Sequence, residues 1–374
     1  MYNGPKGWQM TVYWILIVYI LGLPAMLRFA GYQGDKLNKK VLIGSMTALF
    51  LLAALRAPSV GRDVAGYKAV YQTIQQAPWK NFDVSYFEWG YEFLMMLSSH
   101  VLHLPFQVFI AVIYGFYYFS LYRFIRRYSA DYHLSVLIYV CFNFFCFDLS
   151  AIRNMLAITV CLFAVPFAQQ RGAKNMIKFL AIAVVAAQIH RSAYTFLAAY
   201  AIMKIPLNRY SLVFYGIILG ILIVFRSTIV TVVDLYIKDM GNVGGSGIGG
   251  NVLVYTAIVG SALLVRYLQE KKTATMSKET VLIWYQHRDV LDFSFRMMCS
   301  AIVILGYFNG TSLIRLAQCL LMFMLVLPTI PLSWIKRNDR MLLRMGMTVL
   351  LVLYFMKYTL LNNPLDIVPY VFFW

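Results

Sequence analysis

Apolar runs long enough to cross a bilayer, about 20 residues each, recur along the whole chain. They predict spans near residues 8–29, 39–57, 105–122, 132–148, 151–169, 176–190, 192–204, 210–226, 251–268, 290–308, 312–334 and 341–360. The first, "WQMTVYWILIVYILGLPAML", has no basic region before it and no small-residue cleavage site after it, so it reads as a retained span. One segment departs from the pattern. In "YFEWGYEFLMMLSSHVLHLP", Glu88, Glu92, Ser99 and His103 recur at helical spacing, with Phe93, Met96 and Leu97 elsewhere. That spacing predicts an amphipathic helix lying at the interface or dipping into it.

Composition agrees with a membrane solvent. The chain has 374 residues, of which 61% are hydrophobic and 13% charged, against about 25% charged in soluble domains. The net charge of +18 invites a nucleic-acid reading, but its distribution excludes one. With the spans above, the loops alternate, and one side collects 22 of the 33 basic residues and seven of the 15 acids. That side, which includes "RFIRRYS" and "WIKRNDR", is cytoplasmic by the positive-inside rule. If segment 86–103 crossed the membrane, the later alternation would invert. The +18 therefore records topology and lipid-headgroup contact rather than a nucleic-acid partner. The expectation is an all-α polytopic integral membrane protein with about twelve transmembrane helices, both termini outside, and one outer amphipathic or re-entrant helix. It is read as a single transmembrane domain, 1–374. Its non-spanning parts are an outer loop and helix at 58–104, a glycine-rich outer loop at 227–250, a cytoplasmic loop at 269–289 and an outer tail at 361–374.

The costly polar residues gather on the outer side. An arginine at a helix centre costs roughly 2.5–3.5 kcal/mol on insertion scales, so ionisable groups at membrane depth are functional candidates. They fall in "RAPSVGRDVAGY" at 56–67, the Glu88/Glu92 helix, "FDLSAIRN" at 147–154, "QIHRSAY" at 188–194, "GTSLIRLAQ" at 310–318, and "NNPLDIVPYVFFW" at 362–374. The very short turn in "CFDLSAIRNMLAITV" holds Asp148 and Arg153 near the membrane surface. His190 and Arg191 lie between apolar stretches in the same way, and Arg315 sits several residues into an apolar helix. One arginine alone is explained by snorkelling to headgroups or by an acidic partner. Arg56, Arg153 and Arg315 at one depth, with few acids nearby, suit an anionic ligand, because guanidinium forks bind phosphate in bidentate fashion.

Other chemistries lack their motifs. No strand-bound GxGxxG and no Walker sequence argues for a nucleotide, and no DxD, HExxH or Cys/His cluster argues for a metal. No cofactor is expected. The five cysteines, Cys141, Cys146, Cys161, Cys299 and Cys319, all lie inside apolar runs as core filling. "GNVGGSGIGG" at 241–250 reads as a flexible flap, and "NGT" at 309–311 as an accidental match to a glycosylation acceptor.

Taken together, the outer motifs resemble the EpsG family of bacterial membrane proteins, which includes Wzy-type O-antigen and capsule polymerases. The resemblance rests on Ser59, Val60, Gly61, Asp63 and Tyr67 after Arg56, and on Glu88, Gly90 and Tyr91 in "FEWGYEFL". It continues through Arg153 and Ala157 in "IRNMLA", "HRSA" at His190 to Ala193, Arg315, and "PYVF" at Pro369 to Phe372, which includes Tyr370. Arg62 stands where the family pattern expects a small polar residue, and the aromatic expected shortly after Arg315 is absent.

The resemblance implies a GT-C-like polymerase in the bacterial inner membrane. Its donor and acceptor would both be undecaprenyl-pyrophosphate-linked oligosaccharides on the periplasmic face, with membrane lipids as further partners; a chain-length regulator is left open. The residues point the same way. Arg56, Arg62, Arg153 and Arg315, with Arg191, would meet the charge that grows on a pyrophosphate leaving group without a metal. Asp63, Glu88, Glu92 and His190 are the candidates to take the proton from the attacking sugar hydroxyl, and sequence does not rank them. Glu88 and Glu92 lie one helical turn apart, so only one of them faces the substrate. Tyr67, Tyr91, Trp89 and Tyr370 could stack on sugar rings or belong to an interfacial aromatic belt. The alternatives are a ligase that transfers the finished glycan, and a flippase for the lipid-linked unit. A flippase would need polar groups along a path through the membrane.

Overall fold

The computed structural model describes residues 10–78, 86–170, 172–236, 250–271, 278–308 and 314–374. Arg171, Lys272, most of the glycine-rich flap, the "NGT" match and the start of "GTSLIRLAQ" lie outside the described residues. Among the described residues every regular element is a helix, and the one β-type pairing is an isolated antiparallel bridge between Arg56 and Phe372.

The chain divides into two compact units. The first comprises Met1–Leu162, Gln188–Arg191 and Arg337–Trp374, and the second Phe163–Ala187 and Ser192–Lys336. In the first unit, α1 (Thr11–Phe29) and α2 (Gly34–Leu55) form an antiparallel pair, and α2 packs along α5 (Phe106–Tyr128). Between α2 and α5 stand two shorter helices, α3 (Val64–Gln76) and α4 (Trp89–Met96), the latter continuing as a π-helical turn, Leu97–Val101. Pro105 stops the chain and starts α5 at a position where the missing N–H is no loss. Next come α6 (Tyr132–Cys141), whose N-terminus is capped by the Asp131 carboxylate on the Leu134 N–H at 3.1 Å, and α7 (Phe144–Ser150). Asn143, in the left-handed conformation at φ 66°, breaks this span, and its two halves meet at 54°. The unit also holds the start of α8 (Ile152–Gln169), the end of α9 (Ala173–Ile189), and, after the second unit, α16 (Arg337–Tyr354) with a closing π turn at Phe355–Leu361.

The second unit contains α10 (Thr195–Ile202), α11 (Arg209–Tyr236), α12 (Gly250–Glu270), α13 (Lys278–Phe308), α14 (Arg315–Leu321) and α15 (Thr329–Ser333). Helix α13 is its centre, touching α10, α11, α12 and α14. The ends of α12 and α13 are joined by Arg266, which pairs with Asp292 at 2.7 Å, and by Arg288, which pairs with Glu270 at 3.0 Å.

Among the described residues eight helices are long and apolar enough to cross a membrane, or nine if the bent α6–α7 pair is one span. These nine answer to nine of the twelve predicted spans, so the protein is multi-pass, but the count of twelve is not confirmed. The other three predictions fall in α9, α10 and α11. Helix α9, with 17 residues, reaches about 26 Å at 1.5 Å per residue, short of a hydrocarbon core of about 30 Å. Helix α10 has eight residues. Helix α11 has the length, at 28 residues, although several of its side chains lie outside the described set.

A short helix does stand in the segment expected to be amphipathic, at Trp89–Met96. Glu92 and Ser99 are buried against protein, whereas Trp89 and Phe93, stacked at 5.4 Å, are exposed. The buried side mixes Glu92 and Ser99 with Tyr91, Met95 and Met96, and His103 of the polar set is exposed.

Candidate functional site

Position 56 shows what the local fold does with the first arginine of "RAPSVGRDVAGY". Helix α2 ends at Leu55, which leaves four carbonyls without intrahelical partners. Each is met by a different donor. Tyr370 Oη bonds Leu52 O at 2.6 Å, the Arg56 guanidinium takes Ala53 O, Gln107 Nε2 reaches Ala54 O, and the Phe373 N–H takes Leu55 O at 3.0 Å. Arg56 is fully buried and also donates to Val60 O at 3.2 Å, to Leu149 O at 2.9 Å and to Tyr114 Oη at 2.9 Å, lying 4.8 Å over the Tyr114 ring. Expected as a phosphate ligand, it is instead spent on the protein's own oxygens.

The loop that follows is laced to residues 363–374. Gly61 N–H donates to Asp366 O and Arg62 N–H to Leu365 O, each at 2.9 Å, and Ala57 N–H to Val371 O at 2.8 Å. Gly61 adopts φ +102°, and a Cβ there would stand 2.4 Å from Leu149 O, so only glycine fits. Arg62 is exposed and pairs with Asp366 at 3.1 Å, a rim contact worth little. Asp63 is half-buried at the N-cap position of α3 without capping it. Tyr370, with its hydroxyl on Leu52 O and its ring edge-on to Tyr13 at 5.9 Å, packs inside the fold.

Four predicted residues do meet. Glu88 occupies the N-cap position of α4, yet its carboxylate makes no cap bond. One oxygen pairs with the Arg153 guanidinium, while the other faces His190 Nδ1 at 2.9 Å and accepts the Arg191 N–H at 3.1 Å. The Glu88, Arg153 and His190 side chains are 12–16% exposed. Arg153 lies over the Phe87 ring at 4.2 Å and the Tyr67 ring at 5.6 Å. Tyr67, Phe87 and Tyr91 form a triangle of edge contacts, with centroids 5.4–5.9 Å apart. The two chain segments are pressed together at Gly90, where a Cβ would meet Gln188 O at 2.8 Å. Burial pushes the Glu88 carboxyl upward, but the hydrogen bond and charge of His190, the Arg153 charge and the Arg191 N–H outweigh it and hold it down at about 2.

Glu92 does not join this group. Its carboxylate turns back to accept the N–H groups of Tyr86 at 2.8 Å and Phe87, tying down the chain before α4. Of the two glutamates, only Glu88 reaches Arg153 and His190. Arg191 is exposed, and among the described residues its guanidinium has no partner. Arg315, expected inside a helix, is the half-buried first residue of α14 in the second unit.

Sequence reasoning passed over Phe87, Gln107 and Asp366, and did not show what Asp148 touches. Asp148 is 3% exposed. Its carboxylate accepts the hydroxyls of Tyr117, at 2.5 Å, and Tyr139, and its backbone oxygen accepts that of Tyr114 at 2.6 Å. The available signal was the tyrosine spacing 114, 117 and 118 on one apolar helix, which marks a hydroxyl-lined stripe in need of an acceptor.

Chemically, the Glu88 group resembles the orienting half of an acid–base pair. A neutral His190 donating Nδ1–H to Glu88 carries its basic lone pair on Nε2. No curated protein and no solved structure matches the chain. The EpsG family model matches residues 40–372, which take in both the loop at 56–67 and residues 365–371 that lace it. The chain belongs to the EpsG family, whose members are Wzy-like polymerases of polysaccharide biosynthesis.

Proposed function

We propose that this protein polymerises undecaprenyl-pyrophosphate-linked oligosaccharide repeat units at the periplasmic face of the bacterial inner membrane. The observation that carries the reading is the Glu88 carboxylate, which holds a guanidinium with one oxygen and an imidazole with the other beside an aromatic triangle. His190 is the general base, oriented by Glu88. Glu88 itself, ionised and doubly engaged, is too weak a base for a sugar hydroxyl, and Glu92 is committed to backbone N–H groups. In the step, an acceptor hydroxyl attacks the donor's anomeric carbon while its proton passes to His190 Nε2. The bond from that carbon to phosphate oxygen breaks, and the pyrophosphate departs on its lipid. Arg191 and Arg153 meet the charge that develops on it, without need of a metal. A single displacement of this kind inverts the anomeric configuration. Tyr67 and Phe87 keep Arg153 aimed by stacking on it.

The test is the surface glycan of a host lacking the gene. Single repeat units on the lipid anchor are expected, with polymer restored by the parent and not by His190→Ala, Arg153→Ala or Arg191→Ala. Arg315→Ala is tested alongside as the other predicted phosphate ligand. Full-length chains stranded on lipid would instead indicate a ligase, and loss of periplasmic units a flippase. Polymerisation by purified protein is expected to survive chelator.

A further inference from the structure

We infer that Asp148 and Arg56 are positioning residues for Arg153: together they lock the turn from which α8 starts and so fix where that guanidinium stands. The inference rests on the proposed reading of Arg153. Residues 148 and 149 are held from four directions. Tyr114 and Tyr117 approach from α5, Tyr139 from α6, Arg56 from the end of α2, and the bare backbone of Gly61 from the outer loop. The next residues, Leu149 to Ile152, are all buried to 2% exposure or less, and the Ala151 N–H closes on Phe147 O at 2.8 Å. Arg153 follows at once, with its guanidinium divided between Glu88 and two rings. Such a segment has no slack, so a shift at Asp148 reaches Arg153 undiminished.

Stability does not ask for these groups. Well-packed apolar side chains often replace buried charges without loss, and ionisable groups at membrane depth are expensive. What a carboxylate and a guanidinium supply here is registry. Asp148 gathers hydroxyls from two helices onto one oxygen, and Arg56 ties the end of a third helix to the same turn.

The experiment measures turnover by the purified full chain on undecaprenyl-pyrophosphate-linked repeat units, with protein integrity followed by thermal unfolding in detergent. Asp148→Asn keeps an oxygen for both hydroxyls and is expected within about 3-fold of the parent, whereas Asp148→Ala loses about 30-fold or more in kcat with little change in the KM for acceptor. In an Arg153→Lys background the same Asp148→Ala change is expected to cost less than about 3-fold, because coupled residues do not add. Losses that multiply in the double variant, or an Asn variant as damaged as the Ala variant, overturn the inference. If Asp148→Ala does not fold, Tyr117→Phe and Tyr139→Phe, each removing one hydroxyl, replace it in the same cycle with the same criteria. Full turnover in Arg153→Ala would overturn the reading of Arg153 and this inference with it. An inactive Arg153→Ala with multiplying losses overturns the positioning role alone.

Discussion

At the scale of single residues, Glu88 has the most distinctive pH behaviour. Its carboxyl is held at about 2 against an ordinary value of 4.5, so its contribution to stability is complete above the ordinary value and is lost as pH falls through about 2. The unfolding-temperature gap between parent and Glu88→Gln should narrow as pH falls from about 4.5 towards 2. A gap that already closes near neutrality would contradict this ion arrangement. Gly90 makes a second case. Gly90→Ala places a methyl 2.8 Å from the Gln188 carbonyl and is expected to cost about 1–3 kcal/mol; activity should fall with it, because the same approach sets the distance from Glu88 to His190. Sequence identified both cations around Glu88, since charge in an apolar chain stands out. It placed Arg56 in the same class because composition does not show which way a guanidinium points. Four oxygens near the end of a helix decided that.

Among elements, hydropathy found the spans because the membrane imposes one length on all of them. Periodicity found α4 but could not say which stripe faces protein. The buried side takes Glu92 and Ser99 together with Tyr91, Met95 and Met96. Glu92 is thus an internal strut, and its loss should be felt at the start of α4. Glu92→Ala leaves the Tyr86 and Phe87 N–H groups unmet and is expected to cost about 1–3 kcal/mol. Glu92→Gln, which keeps an acceptor oxygen, should retain most of that stability. Detergent unfolding of the two variants measures the difference, and equal losses would rule out the strut. The π turn after α4 and the break at Asn143 were not legible, since both depend on long-range partners: His100 bonds Ala77 O at 2.8 Å, and Asn143 accepts the Thr359 hydroxyl.

For the molecule as a whole, orientation is the largest claim resting on charge alone, and it can be measured directly. The five native cysteines lie within helices, four buried and Cys299 half-buried, so labelling background should be low. Arg62→Cys is expected to react with a membrane-impermeant maleimide from outside intact cells, and Lys36→Cys only after permeabilisation. The opposite pattern would invert the topology. Sequence also gave the outer loop and the tail as separate features. The bonds of residues 57, 61 and 62 to residues 365, 366 and 371 join them into one structure, which no local pattern could disclose. That lacing orders events during synthesis. The ribosome delivers Arg62 some three hundred residues before Asp366 (|i−j| = 304), so the loop at 57–62 has to wait for residues 365–371. A product interrupted before residue 365 would hold every candidate span among the described residues and still lack the bonds that finish the loop at 57–62.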